Sequence, residues 1–277
     1  KLLLDRSEIV SIPTETVYGL AANGNNKQAI AKIYAAKKRP LSNPLILHYK
    51  DASSAFKDVT IVPKDAETLA ENFWPGPLTM LLPKKQTIPD SVTAGKKRVA
   101  IRVPQHKLCQ ALLETLAYPL AAPSANLYGR ISPTSPTHVK EQLNKRIPYI
   151  LDGGICEKGI ESTIIGFEND TPIIYRLGSI SIEEIEACIQ KNIRLKNKPE
   201  NNQEVLTSGM VKHHYAPNTI MLSIAEKHEG KNLENCGFIG FDTLHPDFPN
   251  ENQFLLDENG NLDAAAKDLY SAFHIMD

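Results

Sequence analysis

A single tryptophan, four methionines and an aromatic content of 6% leave this 277-residue chain few platforms on which nucleic-acid bases could stack. Charge of either sign is not in excess. The 31 Lys and Arg offset 32 Asp and Glu to a net −1, so no global field draws the chain to nucleic acid or an anionic membrane. Any contact with a polyanion must come from local clusters. The four cysteines, Cys109, Cys156, Cys188 and Cys236, are far apart and form no Cys-x-x-Cys pair, which argues against a structural zinc site. No uncharged apolar run approaches the roughly 20 residues of a spanning helix, so no membrane partner is expected. The opening Lys1-Leu2-Leu3-Leu4-Asp5 is too short and too soon acidic for a signal peptide; the expectation is a cytoplasmic chain with reduced thiols. The Gly-x-x-x-x-Gly-Lys phosphate loop, the Gly-x-Gly-x-x-Gly dinucleotide turn and the Gly-x-Ser-x-Gly nucleophile elbow are all missing.

What is present is ordinary for a globular protein: 42% apolar and 23% charged residues, in a chain long enough for two domains. Strands are expected at Glu8 to Ile12, Leu45 to Tyr49, Leu78 to Leu82, Val99 to Val103, Leu120 to Ala122, Tyr149 to Asp152, Ser162 to Phe167 and Ile173 to Leu177. Helices are expected between them, at Lys27 to Lys38, Pro63 to Phe73, His106 to Leu116, Thr137 to Lys145 and Ile182 to Gln190. The fourth opens on a Ser135-Pro136 cap and the last on the capping box Ser181 to Glu184. This mixture predicts an α/β domain over residues 1–194. Residues 195–218 read as a polar linker. A smaller domain over 219–277 follows, with strands at Thr219 to Ile224, Gly237 to Phe241 and Phe254 to Leu256, a helix from Leu262, and a shortened end.

The chemistry-bearing residues cluster at strand ends, where open α/β sheets bind ligands. Pro13-Thr14-Glu15-Thr16-Val17-Tyr18-Gly19-Leu20 places hydroxyls, a carboxylate and a phenol directly after an apolar strand. Pro13 ends that strand, and Gly19 permits a turn or a close backbone approach. Lys37, Lys38 and Arg39 reach a loop with Ser42 and Asn43. They are either dipole partners at a helix end or a phosphate grip in which Arg39 binds bidentately and Lys37 acts as a point charge. Strand alternation sets Ala100 and Arg102 on one face and Val99, Ile101 and Val103 on the other. Arg102 therefore needs an anionic partner, either an internal carboxylate or that of a ligand. Ser124 and Asn126, Ser132, Glu161 and Ser162, and Arg176 complete the set of polar strand termini.

Taken in order, Pro13 to Leu20, Lys37 to Pro40, Ser42 to Pro44, Trp74 to Thr79, Ala100 to Pro104, Pro123 to Asn126, Ser132 to Thr134, Glu161 to Thr163 and Arg176 to Gly178 resemble the motifs of the YrdC-like family. Ser208 to Met210 and His214 to Pro217 match the linker of its long, two-domain form. The resemblance implies a twisted open mixed sheet around a basic concavity, followed by a smaller Rossmann-like α/β domain. It implies a nucleotidyltransferase that makes threonylcarbamoyl-AMP from L-threonine, bicarbonate or CO₂ and ATP, releasing pyrophosphate. A downstream transferase, with tRNA itself as a further partner, then uses the product on the adenosine beside the anticodon.

The resemblance further implies that Thr16, His48, Arg102, Ala122 and Ser162 hold threonine. Lys37, Arg39, Asn43, Arg98, Ser124, Ser132, Arg176 and Tyr215 would hold ATP, with Lys37 and Arg39 on the reacting phosphates. No resident metal site is implied; Mg²⁺ would arrive on the triphosphate, with Glu15 and Glu161 as outer contacts. Two other readings stand beside this one. One is an RNA-binding module using Lys37 to Arg39 and Lys96 to Arg98. The other is a carbamoyl transferase of metallocentre maturation, whose paired cysteines this chain lacks.

Overall fold

A computed structural model of the chain describes residues 1–196, 216–223, 233 and 235–277. Helix α1 (Leu2–Asp5) leads into β1 (Val10–Ile12) and β2 (Gly19–Asn23). Helix α2 (Lys27–Lys37) follows, capped by Asn26, whose side chain accepts from the N–H groups of Gln28 and Ala29. Next come β3 (Ile46–His48), α3 (Ala52–Phe56), α4 (Lys64–Phe73), β4 (Leu78–Pro83), α5 (Asp90–Thr93), β5 (Arg98–Arg102), α6 (Lys107–Glu114) and β6 (Leu120–Ala121). Helix α7 (Pro136–Leu143) starts at the Ser135 cap, and β7 (Thr163–Glu168) and β8 (Thr171–Arg176) follow it. The expected capping box opens α8 (Ile182–Ile189). The described chain closes with β9 (Arg194–Leu195), β10 (Phe238–Gly240), β11 (Gln253–Leu255) and α9 (Leu262–Met276).

Nine of these strands form one mixed sheet in the order β1-β2-β6-β3-β5-β4-β7-β8-β9. The β3–β5, β4–β7 and β8–β9 pairs are parallel and the rest antiparallel. Alternation splits the central strands between two buried layers. Leu47, Met80, Ile101, Ile165 and Ile174 join the main core, while Ile46, Leu81, Ala100, Ile164 and Tyr175 form a second cluster on the opposite face. That second face carries the site. The mixed sheet with its helices agrees with the expected α/β architecture.

Three expectations changed. Gly19 begins strand β2 rather than a turn, and makes the close approach that was its alternative, since a Cβ there would lie 3.3 Å from that of Ala122. The run Gly19 to Asn23 is small-residued and buried almost throughout, so it shows none of the alternation by which a half-exposed strand is recognised. Tyr149 to Asp152 makes only the single bridge Ser11↔Ile150. Beyond it the chain is drawn off by Tyr18, whose hydroxyl donates to the Gly154 carbonyl at 2.7 Å and accepts the Gly153 N–H at 3.0 Å. Residues 219–223 form no strand; at their start the Thr219 N–H and the Asn218 side chain bond the Asp277 carboxylate at 2.7 and 2.8 Å. Ile224, Tyr215, Ser208 to Met210 and His214 lie outside the described residues.

Candidate active site

Strand register assembles the site. His48 on β3 pairs across from Arg102 on β5, Arg102 from Thr79 on β4, Thr79 from Ile164 on β7, and Ile164 from Arg176 on β8. Five strands thus contribute one row at one end of the sheet, and three of its members can donate hydrogen bonds from charged or imidazole groups. The loops at 13–18, 122–126 and 161–162 wall the row into a cleft.

Arg102 has its internal carboxylate. Its Nη2 donates to Glu15 Oε1 at 2.7 Å, its Nη1 to Thr16 Oγ1 at 3.0 Å and its Nε to the Gly76 carbonyl at 3.2 Å. The second Glu15 oxygen accepts the Gln105 N–H at 3.0 Å. Both ionic side chains are nearly inaccessible, and the pair is tolerable at that depth because each Glu15 oxygen accepts a hydrogen bond and three guanidinium N–H groups donate one. A guanidinium has five N–H groups, so one on each Nη remains for an anion in the cleft. Thr14 props the same wall: its hydroxyl donates to the Val17 carbonyl at 2.6 Å and meets the Thr16 hydroxyl at 2.9 Å. Burial, and then the Arg102 charge, push the His48 imidazole down to about 3, so it is neutral at pH 7. Its Nδ1 is buried without a partner in the protein.

Ser162 is held from two sides. Its hydroxyl lies 2.7 Å from Thr79 Oγ1 and accepts from Arg176 Nη2 at 2.9 Å, while Arg176 also donates to the Ser162 carbonyl at 2.8 and 3.1 Å. Opposite, Arg39 is 6% exposed and lines the cleft. Its Nη2 bonds Asn43 Oδ1 at 2.7 Å and the Pro44 carbonyl at 2.8 Å. Lys37 is directed elsewhere: Nζ donates to the carbonyls of Ser124 and Asn126 at 2.6 and 2.5 Å, tying α2 to the loop that carries Ser124. Burial, aided by the Arg39 charge, lowers the pKa of this ammonium well below its usual value.

The last wall comes from the far end of the chain. Glu161 lines the cleft and receives the Ser132 hydroxyl on one oxygen and the Tyr270 hydroxyl of α9, at 2.5 Å, on the other. Ser132 is fully buried behind it.

Of the residues expected from the sequence, Thr16, Arg39, His48, Arg102, Ala122, Ser124, Ser162 and Arg176 line one cleft. Lys37, Asn43 and Ser132 stand directly behind that lining. Arg98 lies at the opposite end of β5 from Arg102, where it reaches the Tyr175 hydroxyl at 3.4 Å. Tyr215 lies outside the described residues. Sequence reasoning assigned no part to Thr14, Thr79 or Tyr270. A hydroxyl facing inward on apolar β4 was a readable signal for Thr79, whereas nothing local marks Tyr270. Both oxygens of Glu15 and of Glu161, the carboxylates expected as outer contacts of a metal, accept hydrogen bonds from the protein. Among the described residues no group of three or more His, Cys, Asp or Glu could hold a metal ion, and no helix is long and apolar enough to cross a membrane.

Comparison with known proteins gives the same reading of the whole chain. The Sua5_yciO_yrdC family model, described as telomere recombination, matches residues 2–178. A second model, described as the C-terminal domain of threonylcarbamoyl-AMP synthase, matches residues 180–277. Threonylcarbamoyl-AMP synthase of Bacillus subtilis is 46% identical over 81% of this chain and 65% of its own length. That of Pyrococcus abyssi is 40% identical over 78% of this chain and 64% of its own. The chain therefore spans just under two thirds of the length of these relatives. A crystal structure of P. abyssi Sua5 complexed with L-threonine superposes with a TM-score of 0.88 at 34% identity, covering 99% of this chain and 83% of that one.

Proposed function

The chain belongs to the Sua5/YciO/YrdC family, and from that premise we propose that it is a nucleotidyltransferase making threonylcarbamoyl-AMP from L-threonine, bicarbonate and ATP. The carrying observation is the Arg102 guanidinium, which lines the cleft, is anchored by three hydrogen bonds and keeps one uncommitted N–H on each Nη. Two such N–H groups match a carboxylate in bidentate fashion. The Sua5 relative crystallised with L-threonine shares the fold over 99% of this chain.

In the proposed reaction the threonine amine attacks bicarbonate to give the carbamate and water. A carbamate oxygen then attacks the α-phosphorus of ATP. The bond to the β-phosphate breaks, and pyrophosphate leaves with the electron pair. No protein nucleophile is required; the protein contributes placement and charge. Arg102 holds the carboxylate, with Thr16 and Ser162 beside it and Ala122 leaving space for the side chain. Neutral His48 offers its unpartnered Nδ1 as a hydrogen-bonding group rather than a charge.

Arg39, Arg176 and Ser124 face the nucleotide. Lys37 and Asn43 support that wall from behind, and Tyr215 and Arg98 are assigned to the nucleotide on family pattern alone. Mg²⁺ enters as the ion carried by ATP, since among the described residues no group of three or more His, Cys, Asp or Glu could hold it. The division into residues 1–194, a linker at 195–218 and a second domain at 219–277 belongs to the same proposal. So do cytoplasmic location, the use of the product for threonylcarbamoyl-adenosine in tRNA, and a downstream transferase as partner.

With ATP, Mg²⁺ and bicarbonate present, pyrophosphate release should depend on threonine. Release without threonine would overturn this reading, and salt-sensitive tRNA binding with no ATP turnover would replace it with the RNA-binding one.

A further inference from the structure

Helix α9 is remote in sequence from every motif of the cleft, yet three of its side chains hold the cleft wall. The Tyr270 ring packs with Val17 and Ile131, and Val17 itself lines the cleft. The Tyr270 hydroxyl bonds Glu161, another lining residue. One turn on, His274 Nε2 meets the Ser132 carbonyl at 3.1 Å and its ring stacks on His138 of α7 at 3.9 Å, while Ser271 meets the Thr134 hydroxyl at 3.1 Å. The fit is close on the other side too. Gly159 has φ +68°, and a Cβ there would lie 1.9 Å from the Lys267 carbonyl oxygen, so no other residue lets α9 approach the 159–161 segment this nearly.

The carboxylate is the informative element. Glu161 is 8% exposed and shares the cleft with Arg39, Arg102 and Arg176, the groups assigned above to anionic ligands. A carboxylate in such company competes with phosphate for the same cations and repels a triphosphate. Here it is turned aside by two hydroxyl donors, Ser132 and Tyr270, whose bonds to a charged acceptor are of the stronger kind. Ser132 alone would leave one oxygen of a nearly buried carboxylate unsatisfied. That cost drives the group to reorient toward the arginines.

We propose that Tyr270 is a positioning residue for the nucleotide: its hydroxyl, delivered by α9, holds the Glu161 carboxylate out of the phosphate path. The inference rests on the reading of the cleft as an ATP site. Docking of α9 is then coupled to competence of the cleft for nucleotide, the Tyr270–Glu161 hydrogen bond being the contact that reaches a cleft-lining carboxylate.

The test measures ATP and L-threonine binding to the full chain by calorimetry, together with KM for each in pyrophosphate release. Tyr270→Phe keeps the ring against Val17 and Ile131 and removes only the hydroxyl. It should weaken ATP binding about tenfold, the effect of a lost hydrogen bond to a charged group, while threonine affinity moves less than twofold. Glu161→Gln added to Tyr270→Phe should restore ATP affinity to within about threefold of the parent, because the competing charge is gone. A role confined to holding α9 in place would not be rescued this way. Ser132→Ala removes the other donor and should produce the same ATP-selective loss, which keeps the idea exposed should Tyr270→Phe fold poorly. Unchanged ATP affinity in both single variants, or a loss that Glu161→Gln does not recover, overturns the inference. Failure of the parent protein to bind ATP overturns the functional reading instead.

Discussion

The nine-stranded sheet and the β10–β11–α9 segment are held together in different ways. The sheet is covered on both faces, and side chains such as Leu47, Met80, Ile101 and Ile165 are fully buried within it. In the C-terminal segment β10 buries only Gly240 and β11 no residue, and α9 buries only Ala265, Tyr270 and Ala272. Tyr270 is buried against Val17 and Ile131 of the first region rather than against its own strands. Among the described residues, the first region contains its own core, whereas α9 buries Tyr270 on the wall of the cleft. A segment held this way is suited to sensing whether that wall is in place.

The largest break in this contrast should come from Arg102→Ala, which strands Glu15 as a buried unpaired carboxylate. A loss of about 3–5 kcal/mol in urea unfolding is expected. The double change Glu15→Gln with Arg102→Met should recover most of that stability but not threonine binding, separating the structural from the ligand-facing half of the guanidinium. Next, Leu47→Ala in the sheet should cost about 2–5 kcal/mol, as a buried leucine does. Phe254→Ala on half-buried β11 should cost about half as much or less and leave the melting of the sheet unchanged. Equal effects would mean that the two regions share one cooperative core.

Acid should act on the junction between them. Burial, with His274 stacked beside it, lowers the His138 pKa from 6.5 to about 4, and His274 is also lowered. Carboxylates of Glu141 and Asp277 favour the charged form of His274 and moderate the effect. A histidine kept neutral in the folded state contributes stability fully above its unfolded pKa and loses it as pH falls from about 6.5 toward 4. Hydrogen exchange in α9 should therefore accelerate across that window before exchange in β3 to β5 does. His48, lowered to about 3, adds a penalty inside the sheet that begins in the same window, below about 6.5, and goes on growing down to about 3. The smallest expected effect is that of Asn261→Ala. It removes the cap on the Asp263 and Ala264 N–H groups and should cost about 1 kcal/mol, confined to α9.

Much of the architecture was legible in the chain. Apolar runs with β-branched residues marked β3, β4, β5, β7 and β8, and cap residues marked the starts of α7 and α8. Strand β2 was not legible, because Gly19-Leu20-Ala21-Ala22 is buried without alternation and looks like neither strand nor helix. Within the cleft, alternation along β5 correctly turned Arg102 away from the core and required an anion for it. That Glu15 supplies one side while two N–H groups remain free could not be read, since the pairing spans 87 positions. Lys37 illustrates the converse. Its place in a basic cluster suggested a phosphate contact, yet the fold turns its ammonium onto the Ser124 and Asn126 carbonyls.

The amino-acid sequence alone determined the family, the α/β class and the polar strand ends, because these depend on local composition, periodicity and the order of motifs. Tertiary structure alone decided which of those ends share a row, since sheet order and register are long-range choices that no local pattern encodes. It also decided that Glu15 and Glu161 serve neighbouring side chains, and that a tyrosine near the end of the chain completes a wall begun at residue 13. A buried carboxylate must find its donors wherever the fold brings them, and here the donors come from distant parts of the chain.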